Sequence, residues 1–172
     1  AARAGARHLV HISAIGADAN SDSAYARTKA AGEAAVRQAF PDATILRPSI
    51  LFGAEDGFFN RFARMAQLPP ALPLIGGGKT RFQPVYVGDV AEALVRSLEG
   101  AATPGATYEL GGPEVKTFRE CLELMLAALA RVFVDRHESN PTAFRQALCG
   151  LVNWTTPTLE GELVRLERRG LA

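Results

Sequence analysis

Tyr25-Ala26-Arg27-Thr28-Lys29 sets a tyrosine and a lysine four residues apart in a stretch rich in Ala, Arg and Glu. On a helix this spacing puts both side chains on one face. An ammonium beside a phenol favours the phenolate. A phenol so tuned can give or take a proton near neutral pH. The bland alternative is a solvated helix face carrying an ordinary surface pair. Ser13 ends an apolar run twelve residues before Tyr25, where its hydroxyl could hydrogen-bond a substrate carbonyl opposite the tyrosine. Arg47-Pro48-Ser49 follows the next apolar run, at the carboxyl end of a strand, where ligands of α/β sheets gather. Each feature alone is weak, but together they form one ordered constellation.

The elements that must position these groups follow from periodicity. His8-Leu9-Val10-His11-Ile12-Ser13 reads as a buried strand, and residues 14–22, small and polar, as a loop. Ser23 to Ala39 reads as a helix, ended by Phe40-Pro41-Asp42. Ala43 to Arg47 is a second strand, stopped by Pro48. A loop follows, and then a helix from Phe58 to Gln67. Leu68 to Gly78 is too rich in Pro and Gly to be regular, and Gly76-Gly77-Gly78 reads as a turn or hinge. Phe82 to Val87 is extended. Asp89 reads as the N-cap of a helix over Val90 to Glu99. Ala106 to Leu110 is a strand, and Thr117-Phe118-Arg119-Glu120 is a capping box that opens a helix to about Arg131. Strands alternating with helices predict a parallel α/β sheet. From Val132 the pattern breaks at Arg136-His137-Glu138-Ser139-Asn140-Pro141, and short helices joined by irregular chain are expected to Ala172.

The 172 residues, 48% of them hydrophobic and 22% charged, suffice for a buried core. A net charge of +1 gives no electrostatic footprint for nucleic acid. No apolar run approaches the roughly 20 residues of a membrane helix, and Ala1 to Arg7 lead into no signal-peptide core. Cys121 and Cys149 have no zinc spacing, and no metal site is expected. Cys121 falls in an apolar helical pattern and reads as a buried thiol. Leu122, Leu124, Met125, Leu126 and Leu129 read as core rather than as a partner groove. Gly78-Lys79-Thr80 imitates a phosphate loop, but Pro73 occupies the position of its first glycine. Asp18-x-Asn20-x-Asp22 imitates a calcium loop and fails at Ser23 and Lys29.

Taken together, Ser13, Tyr25-x-x-x-Lys29, Leu46-Arg47-Pro48-Ser49-Ile50-Leu51-Phe52-Gly53 and Pro84-Val85-Tyr86-Val87-Gly88-Asp89-Val90-Ala91 resemble the short-chain dehydrogenase/reductase superfamily. The likeness is to its atypical, extended NAD-dependent epimerase/dehydratase type. Phe58-Phe59-Asn60-Arg61-Phe62-Ala63 and Tyr108-Glu109-Leu110-Gly111-Gly112-Pro113 resemble one branch of it. That branch holds bacterial relatives of the accessory NAD(P)H-binding subunit of respiratory complex I, alpha subcomplex subunit 9. The resemblance covers residues 5 to 130. It implies that Tyr25 is the catalytic acid/base and that Lys29 binds the nicotinamide ribose and tunes Tyr25. It implies that Ser13 is the hydroxyl partner, and that Pro48 and Ser49 lie near the nicotinamide ring of NADP or NAD.

The resemblance further implies an α/β fold: the C-terminal part of a Rossmann-like NAD(P)-binding domain with parallel strands, plus a small substrate-side lobe. Strands 8–13 and 43–48 would belong to the sheet, and residues 58–88 and 100–131 to the lobe. The domain would span 1–131, with a divergent helical tail over 132–172. The chain holds neither the GxxGxxG turn of the family nor GxGxxG, so a fragment is expected, with weak or absent cofactor binding on its own. Two functions remain open. One is an auxiliary NAD(P)-binding protein with a structural or assembly role beside complex I subunits, cytoplasmic and peripheral to the inner membrane. The other is an NAD(P)-dependent oxidoreductase or epimerase acting on a small carbonyl or sugar-nucleotide-like substrate.

Overall fold

Adjacent apolar residues such as Ile45 and Leu46 point to opposite faces of a strand, so they belong where both faces are covered, and that is where they lie. The computed structural model describes residues 5–66 and 72–136, with side chains as far as Leu129. In it β1 (Val10–Ile12), β2 (Thr44–Pro48) and β6 (Thr107–Leu110) form a parallel sheet in the order β1-β2-β6. Val10 pairs with Thr44, Ile12 with Leu46, and Arg47 with Glu109. Ala43 and Ile45 are fully buried and Leu46 nearly so. The ladder continues past β1, because the Ser13 and Ile15 amides donate to the Leu46 and Pro48 carbonyls.

Two units divide the chain. The first comprises Ala1–Ala54 and Phe82–Val115, the second Glu55–Arg81 and Lys116–Ala172. In the first, α1 (Ala24–Ala39) joins β1 to β2. Its N-cap is Ser23, whose hydroxyl accepts from the Ala26 amide. A helix between two parallel neighbouring strands runs against them, so α1 begins at their carboxyl end. β3 (Leu51–Phe52) pairs in parallel with β5 (Val85–Tyr86), and α3 (Val87–Leu98) packs on β1 and β2.

In the second unit, α2 (Phe59–Met65) is capped by Asp56, whose Oδ1 accepts from the amides of Phe58, Phe59 and Asn60. A 3-10 turn over Ile75–Gly78 carries three successive glycines at positive φ, a conformation that side chains resist. β7 (Lys116–Thr117) pairs with β4 (Arg81–Phe82). It leads into α4 (Phe118–Arg136) through the expected capping box: Glu120 accepts from Thr117, and Thr117 Oγ1 accepts from the Glu120 amide. Phe118, Cys121, Leu122, Met125 and Leu126 are buried along one stripe of α4. Burial pushes the Cys121 thiol up. Phe58, Phe62 and Phe118 meet edge to face in this core.

Several expectations are corrected. β6 joins the parallel sheet, so residues 82–115 belong with β1 and β2 and not with a lobe. The stretch 82–87 is broken into the ends of β4 and β5 by Gln83-Pro84, because proline has no amide to donate. Asp89 is not a cap: α3 starts at Val87, with Tyr86 as N-cap, and Asp89 lies in its first turn. α4 runs on to Arg136, past the boundary expected at 131. The tail expected beyond it, with Cys149, lies outside the described residues from 137.

Gly111 and Gly112, just past β6, are closely approached by Gln83-Pro84. A Cβ on Gly112 would overlap the Pro84 carbonyl oxygen and stand 3.0 Å from its carbon. A Cβ on Gly111 would meet only the Gln83 side chain, which is flexible. Gln83 Nε2 donates to the Gly112 carbonyl at 2.6 Å. Gly112→Ala is therefore expected to cost about 3 kcal/mol, the upper end for overpacking, read as a fall in the urea midpoint. Gly111→Ala should cost less. Equal midpoints for the two variants would contradict the backbone clash.

Candidate functional site

The first turn of α1 lies at the carboxyl end of the parallel sheet and carries Tyr25. Tyr25, Lys29 and Glu33 follow one another at intervals of four on one side of the helix. Lys29 Nζ stands over the Tyr25 ring, 5.6 Å from its centroid, within cation–π range. Tyr25 is 61% exposed. Among the described residues its hydroxyl makes no hydrogen bond and the Lys29 ammonium no ion pair. The two groups expected to act together are therefore adjacent and open to a ligand.

Ser13 is placed otherwise. It is 3% exposed, and its hydroxyl donates to Glu33 Oε1 at 2.5 Å. The proton that would have gone to a substrate carbonyl is engaged within the fold. Arg47 completes the arrangement: its Nε donates to Glu33 Oε1 and its Nη2 to Oε2, each at 2.8 Å. Such a fork fixes orientation as well as distance. A longer contact of 3.5 Å joins Arg47 Nη1 to Glu109. The Arg47 guanidinium holds the Glu33 carboxyl below the usual carboxylate range, against the opposing push of burial and with help from Ser13. Glu33 in turn raises Arg47.

Pro48 ends β2 and is buried, and the Ser49 amide donates to the Leu110 carbonyl at 2.8 Å. Both thus sit at the same carboxyl end of the sheet as the start of α1. The sequence reading missed Glu33. Its only signal was its place one turn beyond Lys29 in a helix of small residues, which looks like an exposed pair. Among the described residues no cluster of His, Cys, Asp or Glu could hold a metal, and no helix is long and apolar enough to cross a membrane.

These residues suit the nicotinamide side of a dinucleotide, because Tyr25 and Lys29 offer unengaged donors at a sheet's carboxyl end. They do not supply a pyrophosphate cradle: the β1-to-α1 connection holds one glycine, Gly16. The family model described as RmlD substrate binding domain matches residues 16–146. The chain belongs to that family. Among curated relatives of this RmlD-type chain is NADH dehydrogenase [ubiquinone] 1 alpha subcomplex subunit 9, mitochondrial, of Arabidopsis thaliana. It is 47% identical over 122 residues, covering 70% of this chain and 30% of that protein. The Thermus thermophilus UDP-glucose 4-epimerase, solved with NAD, is 25% identical with a TM-score of 0.53, covering 75% of this chain and 50% of that one. The Streptomyces venezuelae dTDP-glucose 4,6-dehydratase shares the fold with a TM-score of 0.63 at 24% identity, covering 74% and 46%. The chain spans about a third of the Arabidopsis relative and about half of the solved enzymes. These are the superfamily and the branch to which the motifs pointed.

Proposed function

We propose that this chain is the nicotinamide-side part of an NAD(P)-binding auxiliary protein related to the complex I accessory subunit, with a structural or assembly role. The observation that carries the reading is the adjacent, unengaged Tyr25–Lys29 pair in a chain so similar to a protein named as a complex I subunit. In this reading Lys29 donates to the nicotinamide ribose hydroxyls, and Pro48 and Ser49 flank the ring. Ser13 has a different task, because its proton is held by Glu33. The partners are respiratory complex I subunits, met at the cytoplasmic side of the membrane that carries them.

A second reading is favoured by the exposed Tyr25 hydroxyl: an NAD(P)-dependent oxidoreductase or epimerase for a small carbonyl or sugar-nucleotide-like substrate. The bound cofactor would supply hydride chemistry. Tyr25 would give a proton to the substrate oxygen or take one from it, beside the Lys29 ammonium.

Affinity purification from native cells separates the two. Respiratory-chain subunits in the eluate support the first reading. Their absence, together with carbonyl-dependent oxidation of NADPH, supports the second. Isothermal titration of the 172-residue chain with NADPH is expected to give a dissociation constant weaker than about 10 μM. Two or three hydrogen bonds of about 0.5–1.5 kcal/mol each fall short of the roughly 8 kcal/mol of a micromolar site. Tighter binding would overturn the assignment of these residues to the nicotinamide half alone.

A further inference from the structure

Three strands bring one row of polar side chains under α1. Arg47 of β2 pairs in register with Glu109 of β6. Ser13 directly follows Ile12, the partner of Leu46, and so lies beside Arg47. Residues side by side in register point to the same face of a sheet. Over this row stands Glu33, one turn beyond Lys29 and two beyond Tyr25 on α1. Glu33 is 6% exposed, and its carboxylate accepts from Ser13 Oγ, Arg47 Nε and Arg47 Nη2.

The remainder of α1 is dominated by Ala, with Gly32 among the residues facing inward. The other ties of α1 lie elsewhere. Arg37 in the last turn donates through Nη1 to the Gly105 carbonyl and through Nη2 to Thr107 Oγ1 of β6, and the Asp18 amide of the preceding loop donates to the Ala26 carbonyl. The planar fork plus a third donor at Glu33 fixes both distance and rotation at a point one turn from Lys29, whereas Arg37 holds the far end of the helix.

We infer that Glu33 is a positioning residue: by its clamp onto Arg47 and Ser13 it sets the roll and axial position of α1, and so where Tyr25 and Lys29 stand at the carboxyl end of the sheet. The inference rests on the reading of Tyr25 and Lys29 as the pair that faces the cofactor. It gives Ser13 a task in the site without contact with substrate. It also explains why the one buried carboxylate of α1, Glu33, faces the sheet.

The test is fluorine NMR of the full chain with 3-fluorotyrosine. Three resonances arise from Tyr25, Tyr86 and Tyr108, and Tyr25→Phe identifies the first. In Glu33→Gln the Tyr25 resonance is expected to shift toward its position in the denatured chain, while that of Tyr86 stays in place. A carboxylate that served stability alone would lower the melting temperature without moving Tyr25. The inference is overturned if folded Glu33→Gln leaves the Tyr25 resonance at its native position. Where Glu33→Gln does not fold, Ser13→Ala, which removes one donor, is read in the same way. Failure of the cofactor reading shows separately, as an NADPH titration of the full-length protein that Tyr25→Phe and Lys29→Met both leave unchanged.

Discussion

In full-length protein that turns over a carbonyl substrate with NAD(P)H, Tyr25→Phe is expected to lower kcat by about 10²–10⁴, the usual worth of a positioned general acid. The melting temperature should not change. Phenylalanine keeps the ring, and with it the cation–π contact to Lys29, which at an exposed site is worth about 0.5–1 kcal/mol. Only the hydroxyl is lost. That hydroxyl makes no hydrogen bond among the described residues, on a side chain that is 61% exposed. Its removal therefore leaves no buried group unsatisfied. A rate that falls in a protein of unchanged stability isolates proton transfer from folding. An unchanged kcat would assign Tyr25 to the helix surface and remove it as the proton donor.

The parts of the fold that local chemistry decides were legible in the residues. The run Ala43 to Arg47, with the apolar pair Ile45-Leu46 at its centre and a stop at Pro48, became the strand in the middle of the sheet. Ser23 and the Thr117–Glu120 box mark helix starts through short-range hydrogen bonds, and both were found at those starts. The pairing of β3 with β5 was not legible, because two residues a side carry no period. Nor was the start of α3, where a carboxylate of cap type at Asp89 sits inside the first turn. In the site, the Tyr25–Lys29 spacing is local and could be read. The partner of Ser13 is twenty residues away on another element. A serine at a strand end looks the same whether its proton goes to a substrate or to Glu33. Glu33 itself, four residues after Lys29, has the spacing of an exposed helical pair; only the sheet register reveals that Arg47 takes it.

That register also sets the largest stability effect expected in the sheet unit. Arg47→Met should cost about 3–5 kcal/mol near neutral pH, the range for removing one partner of a buried pair. The side chain of Glu33 is 7% exposed and that of Arg47 25%, so water replaces the guanidinium only in part and the lower end of that range is expected. Methionine retains much of the apolar stem, which confines the loss to charge and hydrogen bonds. The contact to Glu109, itself 57% exposed, adds little by comparison. The effect should depend on pH with a definite sign. In the native chain the folded Glu33 carboxyl titrates below its ordinary value. Its contribution is therefore complete above about pH 4.3, the usual value for glutamate, and is lost as pH falls through the lower folded value. In Arg47→Met the strongest influence holding the carboxyl down is gone, and burial is opposed only by Ser13 and Arg37. The carboxyl of the variant therefore titrates above that of the native chain, and its ionisation contributes less to folding. Acidification thus costs the native chain more than the variant, so the gap between their urea midpoints should narrow as pH falls from about 4.3 through the lower folded value. A gap of constant size across that range would show that Glu33 does not change charge between the folded and unfolded chains as the Arg47 fork requires.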